Sequence, residues 1–236
     1  MIKAILLDIE GTTTPIDFVH KTLFPFAKAR LDEFVAAHFG ELRPEIEQLE
    51  IEYHRDFQNQ IYGRAFNADA PESIANYLKF LIDVDRKSTP LKNIQGRIWQ
   101  SGYESGTLAS HLFPDVAPAF VRWAEQGRTV AIFSSGSVLA QKLIFKYSDA
   151  GDLSPFIANY FDTTTGAKKE PESYRRIARD LRTNASEILF ISDVPAELDA
   201  AREAELQTVL SIREGNGIVR HPTHHDAVAS FGDLGI

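Results

Sequence analysis

A chain of 236 residues that is 44% hydrophobic and 25% charged has the balance of an ordinary globular protein, and it is long enough to bury a core without staples. It contains no cysteine, which excludes disulfides, thiolate metal sites and cysteine nucleophiles together. A formal net charge of −8 argues against nucleic acid as a partner, because a phosphate backbone demands a basic patch; a small anionic substrate remains possible where local cations overcome the global field.

In chain order, Ile2 to Leu7 is apolar on both faces, as a buried parallel strand is. Asp8 and Glu10 end that run too early for a signal peptide, and no later segment reaches the roughly 20 apolar residues of a membrane span. The expectation is a cytoplasmic protein with no membrane partner. From about His20 to His111 the pattern changes to successive amphipathic helices, over 21–37, 44–62, 72–84 and 91–102, with no strand between them. Apolar strands return at 129–133, 188–191 and 208–212, separated by helical patterns at 118–126, 138–147, 172–181 and 196–204. Strand alternating with helix predicts an α/β protein with a doubly wound parallel sheet. The helical block between the first and second strands then reads as an inserted domain, with the α/β core at 1–15 and 113–236 and the helical domain at 16–112.

Ligands of open α/β sheets bind at the carboxyl ends of the strands. Here those ends carry Asp8-Ile9-Glu10-Gly11-Thr12, then Ser134-Ser135-Gly136-Ser137, then Ser192-Asp193, with Lys168-Lys169 between the last two. Each piece answers a demand of phosphoryl transfer. A carboxylate approaching a phosphate dianion is repelled unless a cation lies between them, and magnesium takes near-octahedral oxygen ligands while keeping some water. Asp8 and Asp193 offer side-chain oxygens to such an ion, and residue 10 its backbone carbonyl. Ser134 and the amides of Ser135 and Gly136, at a helix start, suit non-bridging phosphate oxygens. Lys168 adds positive charge where negative charge builds up. Asp8 is then the candidate nucleophile, passing through an aspartyl-phosphate, and Glu10 the candidate acid and base.

In this order the four segments resemble the motifs of the haloacid-dehalogenase superfamily, and the helical insertion resembles that superfamily's cap. The usual second Asp, two positions after the nucleophile, is Glu10 here. The strings Asp8-Ile9-Glu10-Gly11-Thr12-Thr13-Thr14-Pro15-Ile16, Ile98-Trp99-Gln100-Ser101-Gly102-Tyr103-Glu104-Ser105-Gly106 and Phe133-Ser134-Ser135-Gly136-Ser137 are similar to the enolase-phosphatase (acireductone synthase) family of methionine salvage. That resemblance implies one magnesium ion, a monomer, and a phosphate-ester substrate, 2,3-diketo-5-methylthiopentyl-1-phosphate, enolised and then dephosphorylated. It implies Asp8, Glu10 and Asp193 around the metal, and Ser134, Ser135, Gly136 and Lys168 on the substrate. Lys168 fits better than Lys169, because Pro171 and Tyr174 follow it at the spacing of the superfamily's third motif.

Other readings stay open beside these. The same residues fit a phosphatase acting on another small phosphate ester, while the intact set of acids opposes both a metal-free dehalogenase and an inert binding module. Glu197 reads as a partner behind the metal ligands. Trp99 and Tyr103, four apart on a helix, read as packing, with substrate contact open for Tyr103. His221, His224 and His225 lack a matching carboxylate in the sequence and read as a surface loop.

Overall fold

The computed structural model describes residues 1–215 and 224–236. The chain divides into two compact units, Met1–Val19 with Ala109–Ile236, and His20–Leu108. The expected limits of the helical domain, 16 and 112, lie four residues outside these breaks at either end.

The first unit is built on a parallel sheet of six strands in the order β3-β2-β1-β4-β5-β6. These strands are β1 Ala4–Leu7, β2 Thr129–Phe133, β3 Ile157–Phe161, β4 Ile188–Ser192, β5 Gln207–Ser211 and β6 Asp226–Val228. The central strands β1 and β4 are buried at every position, which is why they read as unbroken apolar runs. The sequence pattern passed over β3 and β6. Both are edge strands: β3 leaves Ala158 exposed and Asn159 and Tyr160 half-buried, and β6 is three residues long. Neither has the two-sided apolar signal of a central strand.

Helices close the two faces. α8, Pro171–Asp180, and α9, Pro195–Glu203, share one buried cluster with Ala4, Leu6, Ala131, Phe133, Ile188 and Phe190. Each begins with proline at its first position, where the missing N–H would have no helical partner. Tyr174 of α8 sets its ring edge-on to Phe133 at 5.6 Å and tilted against Phe190 at 5.1 Å. α6, Val116–Glu125, packs on β2, and its buried Trp123 meets Phe231 at 5.4 Å. α7, Val138–Lys146, is capped by Ser137, whose hydroxyl accepts from the Ala140 amide at 3.3 Å.

The histidine segment differs from its expected surface loop. His224 is exposed, but His225 is 8% exposed and sits between the Thr208 hydroxyl at 2.8 Å and Asp199 at 3.1 Å. A carboxylate partner does exist; it comes from α9, which the local sequence could not reveal. His221 lies outside the described residues.

The second unit is helical: α2 Phe24–His38, α3 Arg43–Gln58, α4 Pro71–Asp83 and α5 Thr89–Glu104. α3 stops four residues before its expected end at 62. The amides of Ile61 and Tyr62 turn back to the Asp56 carbonyl, and Gln60 takes a positive φ of 56°. The Asp56 side chain is buried, accepting from the Tyr77 hydroxyl at 2.9 Å and Arg86 at 3.1 Å. Trp99 is buried too, its indole N–H donating to the Leu23 carbonyl at 2.8 Å, as the packing reading expected. Among the described residues no helix is long and apolar enough to cross a membrane.

Removing a wholly buried ring from β4 tests the core. Phe190→Ala should cost about 3–5 kcal/mol in urea unfolding, against under about 0.5 kcal/mol for Val121→Ala on the exposed side of α6.

Candidate active site

Chain order runs outward from β1 through β2 and β3 on one side, and through β4, β5 and β6 on the other. The reversal between β1 and β4 marks, at their carboxyl ends, the place where open α/β sheets hold ligands. Leu7 lies opposite Ile132 on β2 and Ile191 on β4. Asp8, Ser134 and Ser192-Asp193 therefore all leave the sheet along one edge.

Lys168 organises this edge. Its ammonium is 2.7 Å from Asp8 Oδ1 and 2.6 Å from Glu197 Oε2, with all three residues under 9% exposed. Burial works against the lysine's charge, but Asp8 and Glu197 outweigh it and hold its pKa above the ordinary value. Glu197 lies in the first turn of α9, and the Ser192 hydroxyl sits 3.1 Å from its Oε2 and 3.2 Å from Asp8 Oδ2. The Ile9 amide donates to Asp8 Oδ1 at 2.7 Å.

The segment that delivers Lys168 is fixed by α8. The Ser173 hydroxyl donates to the Ala167 carbonyl at 2.7 Å, and the Tyr174 hydroxyl to the Lys168 carbonyl at 2.6 Å. This turn passes through Gly166 at φ +147°, where a Cβ would fall 2.2 Å from Ser173 Oγ, so only glycine fits. The tyrosine at the sixth position after Lys168 thus has a physical reason: it fixes the lysine's backbone. Burial, then the charges of Glu197 and Asp8, push the Tyr174 pKa up, which keeps its hydroxyl a donor.

The Ser134–Gly136 turn follows β2. The Ser134 amide donates to Phe161 on β3 at 3.1 Å, and the Gly136 amide donates to Ser134 Oγ at 3.2 Å. Wholly buried Gln141 reaches back from α7, its side-chain amide donating to the carbonyls of Gly136 at 2.9 Å and Phe161 at 2.8 Å. No sequence signal marked Gln141, since its role depends on a strand tip 20 residues away.

Residues 8–14 close into a tight loop. The amides of Thr12, Thr13 and Thr14 all donate to the Ile9 carbonyl, and Gly11, at φ +69°, donates to Thr14. Glu10 is half-buried and bridges to Thr14. The structure thus ties Asp8, Lys168, Glu197 and Ser192 by direct contact. It sets Glu10, Ser134, Ser135, Gly136 and Asp193 on the segments leaving the same edge.

A sequence model of the haloacid dehalogenase-like hydrolases matches residues 2–205. The enolase-phosphatase E1 of Synechococcus elongatus is 50% identical over 220 residues, 92% of either chain. That of Leptospira borgpetersenii is 48% identical over 227 residues, 96% of this chain and 95% of its own. The chain belongs to the haloacid dehalogenase-like hydrolases, in their enolase-phosphatase group. Among solved structures, the UTR4 protein of Saccharomyces cerevisiae superposes with a TM-score of 0.79 at 34% identity, covering 99% of this chain and 100% of that one. CbbY of Rhodobacter sphaeroides, in complex with phosphate, superposes at 0.61 with 18% identity over 100% and 97%, a likeness of fold.

Membership in this family raises the question of a metal, and the site's charge bears on it. Asp193 has its pKa pushed up to about 7, by burial first and then by Asp8 and Glu197, with Lys168 pulling the other way. Three acids against one lysine leave surplus negative charge that a divalent cation would relieve. Among the described residues no three His, Cys, Asp or Glu side chains are arranged to hold an ion by themselves. Magnesium accepts one or two carboxylates and takes the rest of its shell from backbone, phosphate and water, so Asp8 and Asp193 beside the Glu10 backbone are donors of the type it uses.

The sign of this charge effect is testable without activity. An acid whose pKa is raised on folding stabilises the fold below its unfolded value, near 4, and that stabilisation is lost as pH rises to about 7. Metal-free Asp193→Asn should therefore unfold at higher urea than the parent at pH 8, by on the order of 2–4 kcal/mol, and match it near pH 4. Added magnesium should stabilise the parent more than the variant.

Proposed function

We propose that this chain enolises 2,3-diketo-5-methylthiopentyl-1-phosphate and then dephosphorylates it to the acireductone 1,2-dihydroxy-3-keto-5-methylthiopentene. The observation that carries the reading is the buried Asp8–Lys168–Glu197 arrangement at the carboxyl ends of β1 and β4, in a chain about half identical to proteins named enolase-phosphatase E1. In this reading the helical unit serves as the cap, and Asp8, Asp193 and the backbone carbonyl of Glu10 hold one magnesium ion. When bound, magnesium screens the charge between Asp8 and the phosphate and draws negative charge from the phosphoryl oxygens.

The chain's own residues supply the rest. Ser134 Oγ and the Ser135 amide bind non-bridging phosphate oxygens, and the Gly136 amide joins them by turning from Ser134 Oγ, to which it donates at 3.2 Å, on a turn held by Gln141. A carboxylate oxygen of Asp8 bonds to phosphorus as the bond to the substrate oxygen breaks, and the electron pair leaves with that oxygen. Glu10 protonates the departing oxygen, then takes a proton from the water that attacks phosphorus, releasing phosphate and restoring Asp8. Lys168 enters the reaction protonated, because Asp8 and Glu197 hold its pKa up against burial, and so offers positive charge beside the nucleophile.

Enolisation first makes chemical sense, since an enolate is a better leaving group than an alkoxide. Glu10, one methylene longer than the usual Asp, is the base assigned to the carbon-bound proton. The deciding assay follows the diketone and its enol by ultraviolet absorbance alongside phosphate release. Asp8→Asn should abolish phosphate release, by at least about 10³-fold, with the circular dichroism spectrum retained. Chelation should stop the parent enzyme and magnesium restore it. Parent enzyme that hydrolyses simple phosphate esters but leaves the diketone phosphate untouched would reduce the proposal to a phosphatase of another small ester.

Glu10→Asp separates the two chemical roles. It should impair enolisation more than phosphate release from a simple ester such as p-nitrophenyl phosphate; equal losses in both would remove Glu10 as the enolisation base.

A further inference from the structure

The nucleophile loop is held from outside by residues with no contact to the reacting groups. Within residues 8–14 the amides turn inward on the Ile9 carbonyl, which leaves the carbonyls of residues 11–13 pointing elsewhere. Each of these has its own donor from outside the loop, two from the stretch that leaves β5 and one from residue 113. The Ser211 hydroxyl donates to Gly11 at 3.2 Å, Arg213 Nε to Thr12 at 3.1 Å, and the Phe113 amide to Thr13 at 3.0 Å.

Arg213 is the most heavily anchored of the three. Its side chain is 4% exposed, and its guanidinium lies over the rings of Phe113 at 4.7 Å and Phe231 at 4.4 Å. Its Nη1 donates to Asp115 Oδ2 at 2.8 Å and to the Ala229 carbonyl at 2.9 Å. The same Asp115 oxygen accepts from the Phe231 amide and the Ser230 hydroxyl, so the carboxylate is spent on Arg213 and the C-terminal segment. One end of the arginine is thus fixed to the body of the unit, and the other presses on the loop that carries Asp8 and Glu10.

We propose that Arg213, assisted by Ser211, is a positioning residue that fixes the 8–14 loop so that Asp8 and Glu10 hold their reactive geometry. A guanidinium is required because its planar fork reaches Thr12 through Nε while Nη1 holds Asp115; a lysine ammonium is a single point and reaches one of them. A small misplacement of a reacting group costs on the order of 10–100-fold in rate, so a loop tie of this kind acts on turnover more than on binding. The inference rests on Asp8 and Glu10 being the reacting groups, and its test reads the loop directly as well.

The test compares full-length Arg213→Lys, Asp115→Asn and Ser211→Ala with the parent. It records kcat and KM on p-nitrophenyl phosphate with magnesium, thermal midpoints, and hydrogen exchange of the Thr12–Thr14 amides. Asp115→Asn weakens the anchor of Nη1 and of residues 230–231 but keeps the Nε bond to Thr12. It should lower the midpoint as much as Arg213→Lys does while lowering kcat several-fold less. Arg213→Lys should lower kcat at least about tenfold with KM within about twofold, and speed exchange at 12–14. Ser211→Ala should do the same more weakly, and it serves where the lysine variant does not fold. Loss of kcat in step with the thermal midpoint across all three would make Arg213 a structural residue and overturn the proposal. Parental kcat and parental exchange in folded Arg213→Lys, or in Ser211→Ala where the lysine variant is unfolded, would overturn it as well. Parent enzyme without phosphatase activity, but with faster loop exchange in Arg213→Lys, would instead refute the catalytic reading and leave the loop tie standing.

Discussion

The bridge from Lys168 to Asp8 and Glu197 is the constraint around which the rest of the first unit is arranged. An ammonium buried this far from water costs several kcal/mol, and only close carboxylates repay it. Those carboxylates come from two separate strand–helix junctions, the end of β1 and the first turn of α9, and the lysine from a third segment before α8. The three junctions must therefore be held in register before the charge can be accommodated, and the parallel sheet supplies that register. Lys168 is the indispensable member: removing it leaves the acids buried and uncompensated, a loss of about 3–5 kcal/mol.

Around this bridge the fold uses the same device repeatedly. Backbone at the strand tips is fixed by side chains from other segments. Tyr174 and Ser173 fix the segment of Lys168, Gln141 fixes the turn after Ser134, and Ser211 and Arg213 grip the loop after Asp8. Each tie ends on a backbone carbonyl, which leaves the Ser135 amide and the side chains at the strand tips outside these ties. Pre-positioned groups of this kind need little rearrangement when charge develops, which is where fixed dipoles and charges act most strongly.

The balance of charge gives the site its chemistry. Alone, three acids and one lysine are over-negative, and the pKa of Asp193, raised first by burial, is pushed further by Asp8 and Glu197. A cluster poised in this way favours a divalent ion and an anionic substrate together, each making the other easier to bind. A protein with a net charge of −8 can thus take a phosphate ester, because the forces that matter act over a few ångströms and not over the whole surface.

The sequence by itself determined the α/β class, the central strands, and which residue types stand at the strand tips. These properties are local: a buried central strand must be apolar on both faces, and a tip residue is named by its distance from that strand. The edge strands β3 and β6 escaped because an edge strand need not be apolar throughout, and the end of α3 shifted because the Asp56 carbonyl captured two amides beyond the helix. Only the tertiary structure decided that Glu197 grips Lys168, that Gln141 and Arg213 hold distant loops, and that His225 pairs with Asp199. Each of these is a contact between segments far apart along the chain or on different elements. Such a contact depends on the sheet's order and register, and no local pattern encodes it.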